Sequence, residues 1–430
     1  MVGHLPLLYV DATGLLLRSQ ATVGPVFWVD LGFGRERLFC LGPESLELLR
    51  SPSVNNDGAY DDLRHMAGRS LFTTDGAPHR HMRSALGPSF SGLGLSVSGL
   101  TASLASIVQE HVGGWLSRGA IAVGSEMQDL TLEIILRAAG APADDLQTWK
   151  RVYREFALGI FPVPGHLPGL PRYRSARACT WLDAELERLI ARARLAHAEG
   201  SLLGALVRAR GDNGELLSTS ELVDNLRMML LAGHETSGSV LAWILLMLAR
   251  RPALWDALMD EVDGQPDDAM PASPRDLRKF PVAEAIFRET LRLYAPAWFI
   301  FRTAVADVTF AGRRIKAGTP LAVSPAALGR DPSIFPEPDR FDVGRWAGRD
   351  RAPTALELAP FGGGSHFCMG YGLAVFEALC VQVALARECK KRQLRPVHQG
   401  LEPRPVYFPL AHPWSLARVR FERAPGAHRG

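Results

Sequence analysis

The sequence Pro360-Phe361-Gly362-Gly363-Gly364-Ser365-His366-Phe367-Cys368-Met369-Gly370 combines a run of glycines with a single cysteine. Its glycines let the backbone turn tightly and lie close to a ligand. Apolar residues at helical spacing up to Arg392 predict a helix that begins where the stretch ends. Free N–H groups and the positive dipole end at a helix N-terminus stabilise a thiolate. Cys368, at this junction, is therefore a candidate metal ligand, and backbone hydrogen bonds would tune the potential of that metal.

Two other interpretations start from the same residues. A glycine-rich loop before a helix can cradle a phosphate, but the Lys-Ser/Thr pair of a nucleotide-binding loop is absent. An isolated cysteine is more often a buried, inert thiol. The chain has five cysteines, an odd number without a Cys-x-x-Cys pair. This pattern argues against a disulfide framework and favours a reducing, cytoplasmic compartment.

The spacing Phe-x-x-Gly-x-x-x-Cys-x-Gly, at Phe361, Gly364, Cys368 and Gly370, resembles the heme-binding signature of the cytochrome P-450 family and matches it completely. The resemblance implies heme b (iron protoporphyrin IX) with the Cys368 thiolate as axial ligand, which favours O–O cleavage. It also implies a mainly α fold with small β-sheets (α+β), in which the heme lies between a long central helix and the cysteine-loop helix. The other four cysteines would be structural.

A second match to the family lies upstream, in Glu289-Thr290-Leu291-Arg292. The i, i+3 spacing puts the glutamate and the arginine on one helix face. On the surface such a pair is worth about 0–1 kcal/mol. The resemblance implies instead a buried network, completed by Arg340, whose disruption costs about 3–5 kcal/mol.

The third match is on a predicted long central helix. Ser218 and Glu221 form a capping box, and the apolar pattern runs to about residue 250. Its middle is rich in glycine and hydroxyl residues, which predicts a local break. There Ala232-Gly233-His234-Glu235-Thr236 resembles the oxygen-activation motif, with Ala232 and Gly233 beside the heme. The resemblance implies that Thr236 hydrogen-bonds dioxygen and that Glu235 relays protons; the alternative is that Thr236 only kinks the helix.

Four basic residues match the family's contacts to the heme propionates: His79, Arg83, Arg302 and His366. The first two lie four residues apart on one face of a predicted helix. Each contact would be a charge-assisted hydrogen bond to a carboxylate. Any one of them, taken alone, could be a solvated surface residue.

The positions that match the family's substrate contacts are mostly apolar. They are Met66, Leu71, Phe72, Phe156, Ile160, Phe161, Met229, Leu230, Ala297, Trp298, Phe299, Phe408 and Leu410. This lining predicts a large apolar substrate, such as a terpenoid, a polyketide or a fatty acyl chain. Several of these residues could instead belong to the core.

The chain is expected to form a single domain over residues 1–430. Its β-rich part covers about 1–50 and 299–325, its helical part about 75–298 and 368–392, and a disordered tail follows residue 422. A net charge of +3 favours neither nucleic acid nor an anionic membrane. The apolar stretch Leu5–Leu16 is interrupted and far short of the roughly 20 residues that span a bilayer. We therefore expect neither a membrane anchor nor a signal peptide, and a cytoplasmic location.

The resemblance implies a monooxygenase of secondary metabolism. One oxygen atom of O2 enters a C–H or C=C bond, and two electrons and two protons reduce the other atom to water. Because no flavin or iron–sulfur motif is visible, electrons would come from NAD(P)H through a reductase and a ferredoxin or flavodoxin. A docking face near the cysteine loop could use Arg349, Arg351, Lys390 and Lys391.

Two alternatives remain open at this point. One is a peroxide-driven enzyme, or a coupling or rearranging one, with the same heme-thiolate centre. The other is a heme-binding sensor or carrier without turnover. The intact Glu235-Thr236 pair favours the dioxygen-dependent monooxygenase over both.

Overall fold

Helices account for most of the chain because apolar residues recur at helical spacing over long stretches. The structure is a computed structural model that describes residues 3–32, 34–161, 167–195, 200–266, 270–347, 353–407, 410–414 and 416–424. Within these residues the helices are α1 (Leu5–Val23), α2 (Ser45–Leu48), α3 (Arg64–Ala67), α4 (Gly76–Leu86), α5 (Gly92–Val97), α6 (Leu100–Arg118), α7 (Val123–Ala138), α8 (Leu146–Ala157), α9 (Pro171–Leu195), α10 (Leu202–Arg208), α11 (Thr219–Arg250), α12 (Pro252–Asp263), α13 (Pro281–Leu293), α14 (Pro325–Gly329) and α15 (Tyr371–Arg392).

Small β-sheets accompany the helices. Their strands are β1 (Val26–Asp30), β2 (Glu36–Cys40), β3 (Val54–Asn55), β4 (Ala120–Ala122), β5 (Ile300–Ala304), β6 (Val308–Phe310), β7 (Arg313–Ile315), β8 (Pro320–Val323), β9 (Leu394–Gln399), β10 (Pro405–Val406), β11 (His412–Pro413) and β12 (Arg418–Arg423). One sheet has the order β1-β2-β8-β5-β3, a second has the order β4-β12-β9, and two ribbons pair β6 with β7 and β10 with β11. A mainly α structure with small sheets is the fold class that the resemblance implies.

The five-stranded sheet joins the beginning of the chain to residues near 300–323. β1 and β2 form a hairpin, in which Trp28 lies opposite Leu38. β2 then runs parallel to β8, and Leu38 pairs with Leu321. On the other side of β8, Leu321 pairs with Arg302 of the antiparallel strand β5. The sheet thereby fixes the position of one of the predicted propionate contacts.

Both ends of the chain differ in detail from expectation. The predicted β-rich N-terminal part begins with a helix, α1, because Leu8, Ala12 and Leu16 recur every four residues and bury one face in a core cluster with Trp298. Burial of this face outweighs the interruption at Asp11, where the backbone is not helical and α1 is kinked. At the other end β12 continues to residue 423. Residues 425–430, where a disordered tail is expected, lie outside the described residues.

The long central helix predicted by the sequence is α11, and it begins with the predicted capping box. The Ser218 hydroxyl accepts a hydrogen bond from the Glu221 N–H at 3.2 Å, and the Glu221 carboxylate accepts one from the Ser218 N–H at 2.8 Å. The two reciprocal bonds satisfy N–H groups that have no partner within the helix.

The predicted break in α11 is wrong, because the helix is continuous through its glycines. Those glycines permit close packing against α7 instead of a kink. A Cβ atom on Gly233 would lie 3.0 Å from Ile135, and one on Gly238 would lie 3.1 Å from Thr131. The Thr131 hydroxyl also contacts the His234 carbonyl oxygen of α11, at 3.2 Å. Close approach of the two helices therefore explains the small residues there.

Two segments, Thr219–Arg250 and Gly364–Arg392, are long and apolar enough to cross a membrane by length and composition alone. In each of them 67% of the most apolar window is buried inside the protein. Core helices of soluble proteins pass the same test. Here the two segments contain α11 and α15, whose side chains supply much of the main core cluster.

The Glu289–Arg292 pair is buried, as the resemblance implies. Both side chains are at most 1% exposed, and two N–H groups of Arg292 donate to the Glu289 carboxylate at 2.7 and 2.8 Å. Arg292 also donates to the carbonyl oxygens of Gly329, Pro338 and Arg340. The buried guanidinium thus has a partner in each direction, as a buried charge requires.

The predicted third side chain of this network, Arg340, is wrong. Its guanidinium is 60% exposed and pairs with Glu337 at 3.0 Å, and only its backbone carbonyl reaches Arg292. The Glu289 carboxylate is instead completed by the Trp346 indole N–H at 2.9 Å and by Arg345 at 3.5 Å. The segment between residues 338 and 346 lacks regular structure until residue 343, so helical or strand spacing could not show which side chain points inward.

Replacement of Arg292 by alanine should lower the free energy of unfolding by about 3–5 kcal/mol, because it leaves the Glu289 carboxylate buried without its main cationic partner. Urea unfolding of the purified protein measures this change. The matched control is Arg340→Ala, which removes an exposed pair worth about 0–1 kcal/mol. Equal destabilisation by the two substitutions would contradict the assignment of the network.

Candidate active site

The cysteine loop folds back on itself at the N-terminus of α15. The Cys368 N–H donates to the Phe361 carbonyl oxygen at 2.9 Å. Gly364 has a φ of +64°, and a Cβ atom there would lie 2.4 Å from the Leu49 carbonyl oxygen. Both the backbone conformation and the close approach therefore require glycine at this position. Gly370 is the N-cap of α15, so the loop brings the Cys368 sulfur to the helix end that the sequence indicates.

The surroundings of the Cys368 sulfur act on its pKa in opposite directions. Burial raises the pKa of the thiol, whereas the N–H groups of Gly370 and Tyr371 and the guanidinium of Arg83 lower it in part. The side chain has exposed surface, but that surface faces an interior cavity, and so the effect of burial dominates. A metal cation on the sulfur would reverse the shift, because a coordinating thiol is deprotonated outright.

The cavity has a volume of about 670 Å³ and is mostly apolar. Ala232, Gly233 and Thr236 line it from α11, and Phe361 and Cys368 line it from the cysteine loop. Gly370 also lines the cavity, whereas Gly364 does not and serves the turn of the loop. Cys368 and the oxygen-activation motif, which are far apart in the sequence, therefore line the same cavity.

Most of the predicted substrate contacts line the same cavity. They are Leu71, Phe72, Ile160, Phe161, Met229, Ala297, Trp298, Phe299 and Leu410. Met66 was expected among them but is fully buried in the main core, and its sulfur packs against Gly159, where a Cβ atom would lie 2.7 Å from it. Phe156 and Leu230 are also core residues. Phe408 lies outside the described residues.

Four nitrogen-bearing side chains gather at one edge of the cavity: His79, Arg83, Arg302 and His366. The rings of His79 and His366 lie 4.1 Å apart between their centroids. Arg83 donates to the Phe367 carbonyl oxygen at 2.8 Å, which ties its guanidinium to the cysteine loop. The structure thus brings together all four side chains that the resemblance assigns to propionate binding.

The histidines of this edge are held differently from the arginines. His366 Nε2 lies 2.8 Å from a carboxylate oxygen of Asp75, which the sequence analysis missed. Burial lowers the pKa of His79 to about 4, with the charge of His366 as the next cause. His79 is therefore uncharged at neutral pH, and its ring N–H can still donate a charge-assisted hydrogen bond to an ionised carboxylate.

Arg302 is 4% exposed. Burial lowers the pKa of this guanidinium, and the nearby Tyr60 and Asp75 offset the shift in part. Tyr60 in turn accepts a hydrogen bond from the Phe301 N–H at 3.0 Å. The local sequence does not indicate that Tyr60 lies beside Arg302, because this contact depends on the pairing of β3 with β5.

The two residues of the proposed proton relay face different surroundings. The Thr236 hydroxyl donates to the Ala232 carbonyl oxygen at 2.5 Å and lines the cavity. Glu235 is not among the described residues that line it and lies beside His234, at 3.7 Å, and Tyr153. Burial raises the pKa of Glu235, and Tyr153 lowers it in part.

A second acid, Glu377 of α15, does line the cavity and was missed. It is 2% exposed, and burial raises its pKa to about 7, although the Ser237 hydroxyl of α11 opposes that shift. One of its carboxylate oxygens has no hydrogen-bond partner. The sequence does contain a signal for Glu377, which is an acid within the apolar run at residues 373–385. A buried carboxyl without a cation is costly, so an acid at such a position suggests a functional role.

These residues fit a heme. One thiol can serve as an axial metal ligand, small residues of α11 leave room across the cavity, and apolar side chains suit a flat hydrocarbon ring system. Two arginines and two histidines at one edge can donate hydrogen bonds to a pair of carboxylates.

Of the basic residues suggested for partner docking, the two that the structure describes do not lie at the cysteine loop. Lys390 and Lys391 lie at the far end of α15, about 30 Å along the helix from its N-terminus at 1.5 Å per residue. They pair with Asp263 and Glu388, each at 2.8 Å. Arg349 and Arg351 lie outside the described residues.

Comparisons with known proteins agree with this geometry. The Cytochrome P450 family model matches residues 161–393. The cytochrome P450 BJ-4 homolog of Sinorhizobium fredii is 36% identical over 422 residues, which cover 98% of this chain and 94% of the relative. Cyclooctat-9-en-7-ol 5-monooxygenase of Streptomyces melanosporofaciens is 30% identical over 396 residues, which cover 89% of this chain and 85% of the relative.

Solved structures share the fold. Retinoic acid bound cyanobacterial CYP120A1 has a TM-score of 0.85 and 25% identity, with 98% of this chain and 96% of that chain covered. The cytochrome P450DA heme domain has a TM-score of 0.85 at 23% identity, over 98% and 96% of the two chains. The predicted fold class is confirmed. Because the family model matches more than half of the chain and its relatives align over nearly all of it, the chain belongs to the cytochrome P450 family and is a P450 monooxygenase.

Proposed function

We propose that this P450 inserts one oxygen atom of O2 into a hydrophobic small molecule of secondary metabolism. Electrons would come from NAD(P)H through a reductase and a ferredoxin or flavodoxin. The observation that carries the proposal is a single apolar cavity that exposes both Cys368 and Thr236. Two relatives support the substrate class, one named for a cyclooctatenol and the other described as retinoic acid bound.

In this proposal the Cys368 sulfur would bind the heme iron, and Arg83, Arg302, His79 and His366 would hold the heme propionates. When bound, the heme supplies the redox chemistry that activates O2. The protein's own contribution is to orient the substrate, exclude water and deliver protons. Apolar side chains along the cavity perform the first two tasks, because they leave few groups with which water can bond.

Proton delivery in the proposal runs through the Thr236 hydroxyl. Its bond to the Ala232 carbonyl keeps the hydroxyl on the cavity wall but occupies its hydrogen, so that hydrogen must be released before it can be offered to dioxygen. Glu235 is the proposed proton source, because burial raises its pKa and favours the protonated carboxyl. Transfer between them requires rotation of the Glu235 side chain or an intervening water.

Glu377 offers a second source of protons from the opposite helix. Its carboxyl already lines the cavity, and with a pKa of about 7 it exchanges its proton near neutral pH, which suits a general acid. The Ser237 hydroxyl lies between the two helices and next to Thr236 in sequence. The two routes differ in how they respond to pH.

The reduced protein under carbon monoxide should show a Soret band near ~450 nm, because a thiolate ligand gives that signature. The measurement is a difference spectrum of freshly purified holoenzyme. A band at the position typical of imidazole ligation would contradict the assignment of Cys368.

Replacement of Thr236 by alanine should uncouple oxygen consumption from product formation, because the cavity loses its proton-donating hydroxyl. The ratio of product to O2 consumed measures the coupling. Thr180→Ala is the matched control, since the exposed Thr180 makes the same type of hydrogen bond to the carbonyl four residues earlier, at 3.2 Å, on α9. Unchanged coupling in the Thr236 variant would remove this residue from the relay.

If Glu377 supplies protons, coupling in the wild type should fall as the pH rises through about 7, because its carboxyl then loses its proton. Glu377→Gln should abolish that pH dependence, whereas Glu235→Gln should leave the pH dependence of coupling in place. Coupling measured between pH 6 and pH 8 distinguishes the two routes. The same pH profile in wild type and Glu377→Gln would leave Glu235 as the source.

A further inference from the structure

The cavity has a second polar region, distinct from the edge with the paired histidines. Its side chains are Arg35, Arg37, Asp62, His65 and Arg172. They come from the β1–β2 turn, from β2, from residues just before and within α3, and from the start of α9. The Asp62 side chain is 63% exposed, so this region lies where the cavity meets solvent. We call Arg35, Arg37 and Arg172 the arginine group.

Two members of the arginine group have N–H donors without a hydrogen-bond partner. Arg37 donates from one terminal nitrogen to the Glu36 carbonyl oxygen at 3.0 Å, and its guanidinium lies 5.0 Å from the centre of the Phe301 ring. Its Nε is buried without a hydrogen-bond partner, and so is the Nε of Arg172. A buried donor without a partner is costly, and a ligand oxygen would remove that cost.

The charges at this end of the cavity do not balance. Among the described residues that line the cavity the carboxylates are Asp62 and Glu377, and Glu377 belongs to α15. Asp62 pairs with Arg35 at 3.4 Å. Burial lowers the pKa of Arg37, Asp62 partly offsets this, and Arg35 adds to it. An anion next to Arg37 would relieve both the repulsion and the desolvation.

We propose that the arginine group binds the carboxylate of an otherwise apolar substrate, chiefly through Arg37. The planar guanidinium can hold a carboxylate with two parallel hydrogen bonds. The apolar remainder of the substrate then extends along Leu71, Phe72 and Phe299 toward Thr236 and Cys368. Oxidation would therefore take place on the hydrocarbon part, away from the acid. This inference rests on the proposed function, since it places a substrate in the same cavity.

The test uses the ferric holoenzyme with dodecanoate and hexadecanoate and with the methyl ester of each. Calorimetry gives the dissociation constants, and the heme absorption spectrum reports the change of spin state. We expect each acid to bind about tenfold more tightly than its ester, because a charged hydrogen bond is lost in the ester. We also expect the preference to weaken as salt is added, since this end of the cavity meets solvent.

Variants separate charge from packing. Arg37→Met should remove most of the acid preference and leave ester binding unchanged, and Arg37→Lys should retain part of it because it keeps the charge without the planar fork. Arg314→Met is the control, since Arg314 is 74% exposed and outside the cavity lining. The carbon monoxide spectrum confirms that each variant is folded around its heme.

Three results would overturn the inference: equal affinity for acid and ester, no binding of either, or an equal loss of both in Arg37→Met. The test also distinguishes failure of this inference from failure of the proposed function. A carbon monoxide band near ~450 nm without an acid preference would overturn only the arginine site. An imidazole-type band with an intact acid preference in calorimetry would overturn only the heme-thiolate assignment.

Discussion

A thiol that faces an apolar cavity and must nevertheless become an anion is the constraint on which this structure depends. Burial alone would keep the Cys368 sulfur protonated, so every neighbouring feature that can oppose it matters. The glycine turn at Gly364 directs the sulfur to the end of α15, two backbone N–H groups point at it, and Arg83 arrives from α4. The rest of the fold holds these parts in register around the cavity.

The buried Glu289–Arg292 pair helps to hold that arrangement by binding the irregular chain segment that precedes the cysteine loop. Arg292 gathers three carbonyl groups from the chain between residues 329 and 340, and Glu289 holds Asp342 and Trp346. This irregular segment leads toward the cysteine loop and has little regular hydrogen bonding of its own. An ion pair whose hydrogen-bonding groups have partners can hold such a segment in place where it forms no helix or strand.

The local sequence sufficed wherever one short motif carries its own geometry. The cysteine loop and the capping box at Ser218 both lie where the spacing predicts them. The sequence misled where tertiary contacts decide between equivalent local choices. Glycines at 233 and 238 are compatible with a kink or with close packing, and α7 selects packing. In the same way Arg340 and Arg345 are equally plausible partners for Glu289 until the turn of the segment is known. The same limit of local sequence applies to Glu235 and Glu377. Packing of the neighbouring helices, and not residue type, determines which of the two acids reaches the cavity.

The parallel pairing of Leu38 with Leu321 has a consequence for how the protein is made. A contact between residues so distant along the chain closes a very large loop, and its entropic cost must be met before the contact stabilises anything. Such non-local topology is associated with late and slow assembly. Arg37 lies on β2, and Arg302 lies on β5, which β8 joins to β2. Neither arginine has its final surroundings until β8 is synthesised and docked against β2. Because Arg302 is one of the proposed contacts of the heme propionates, we expect cofactor capture to be a late event in the maturation of the newly made chain.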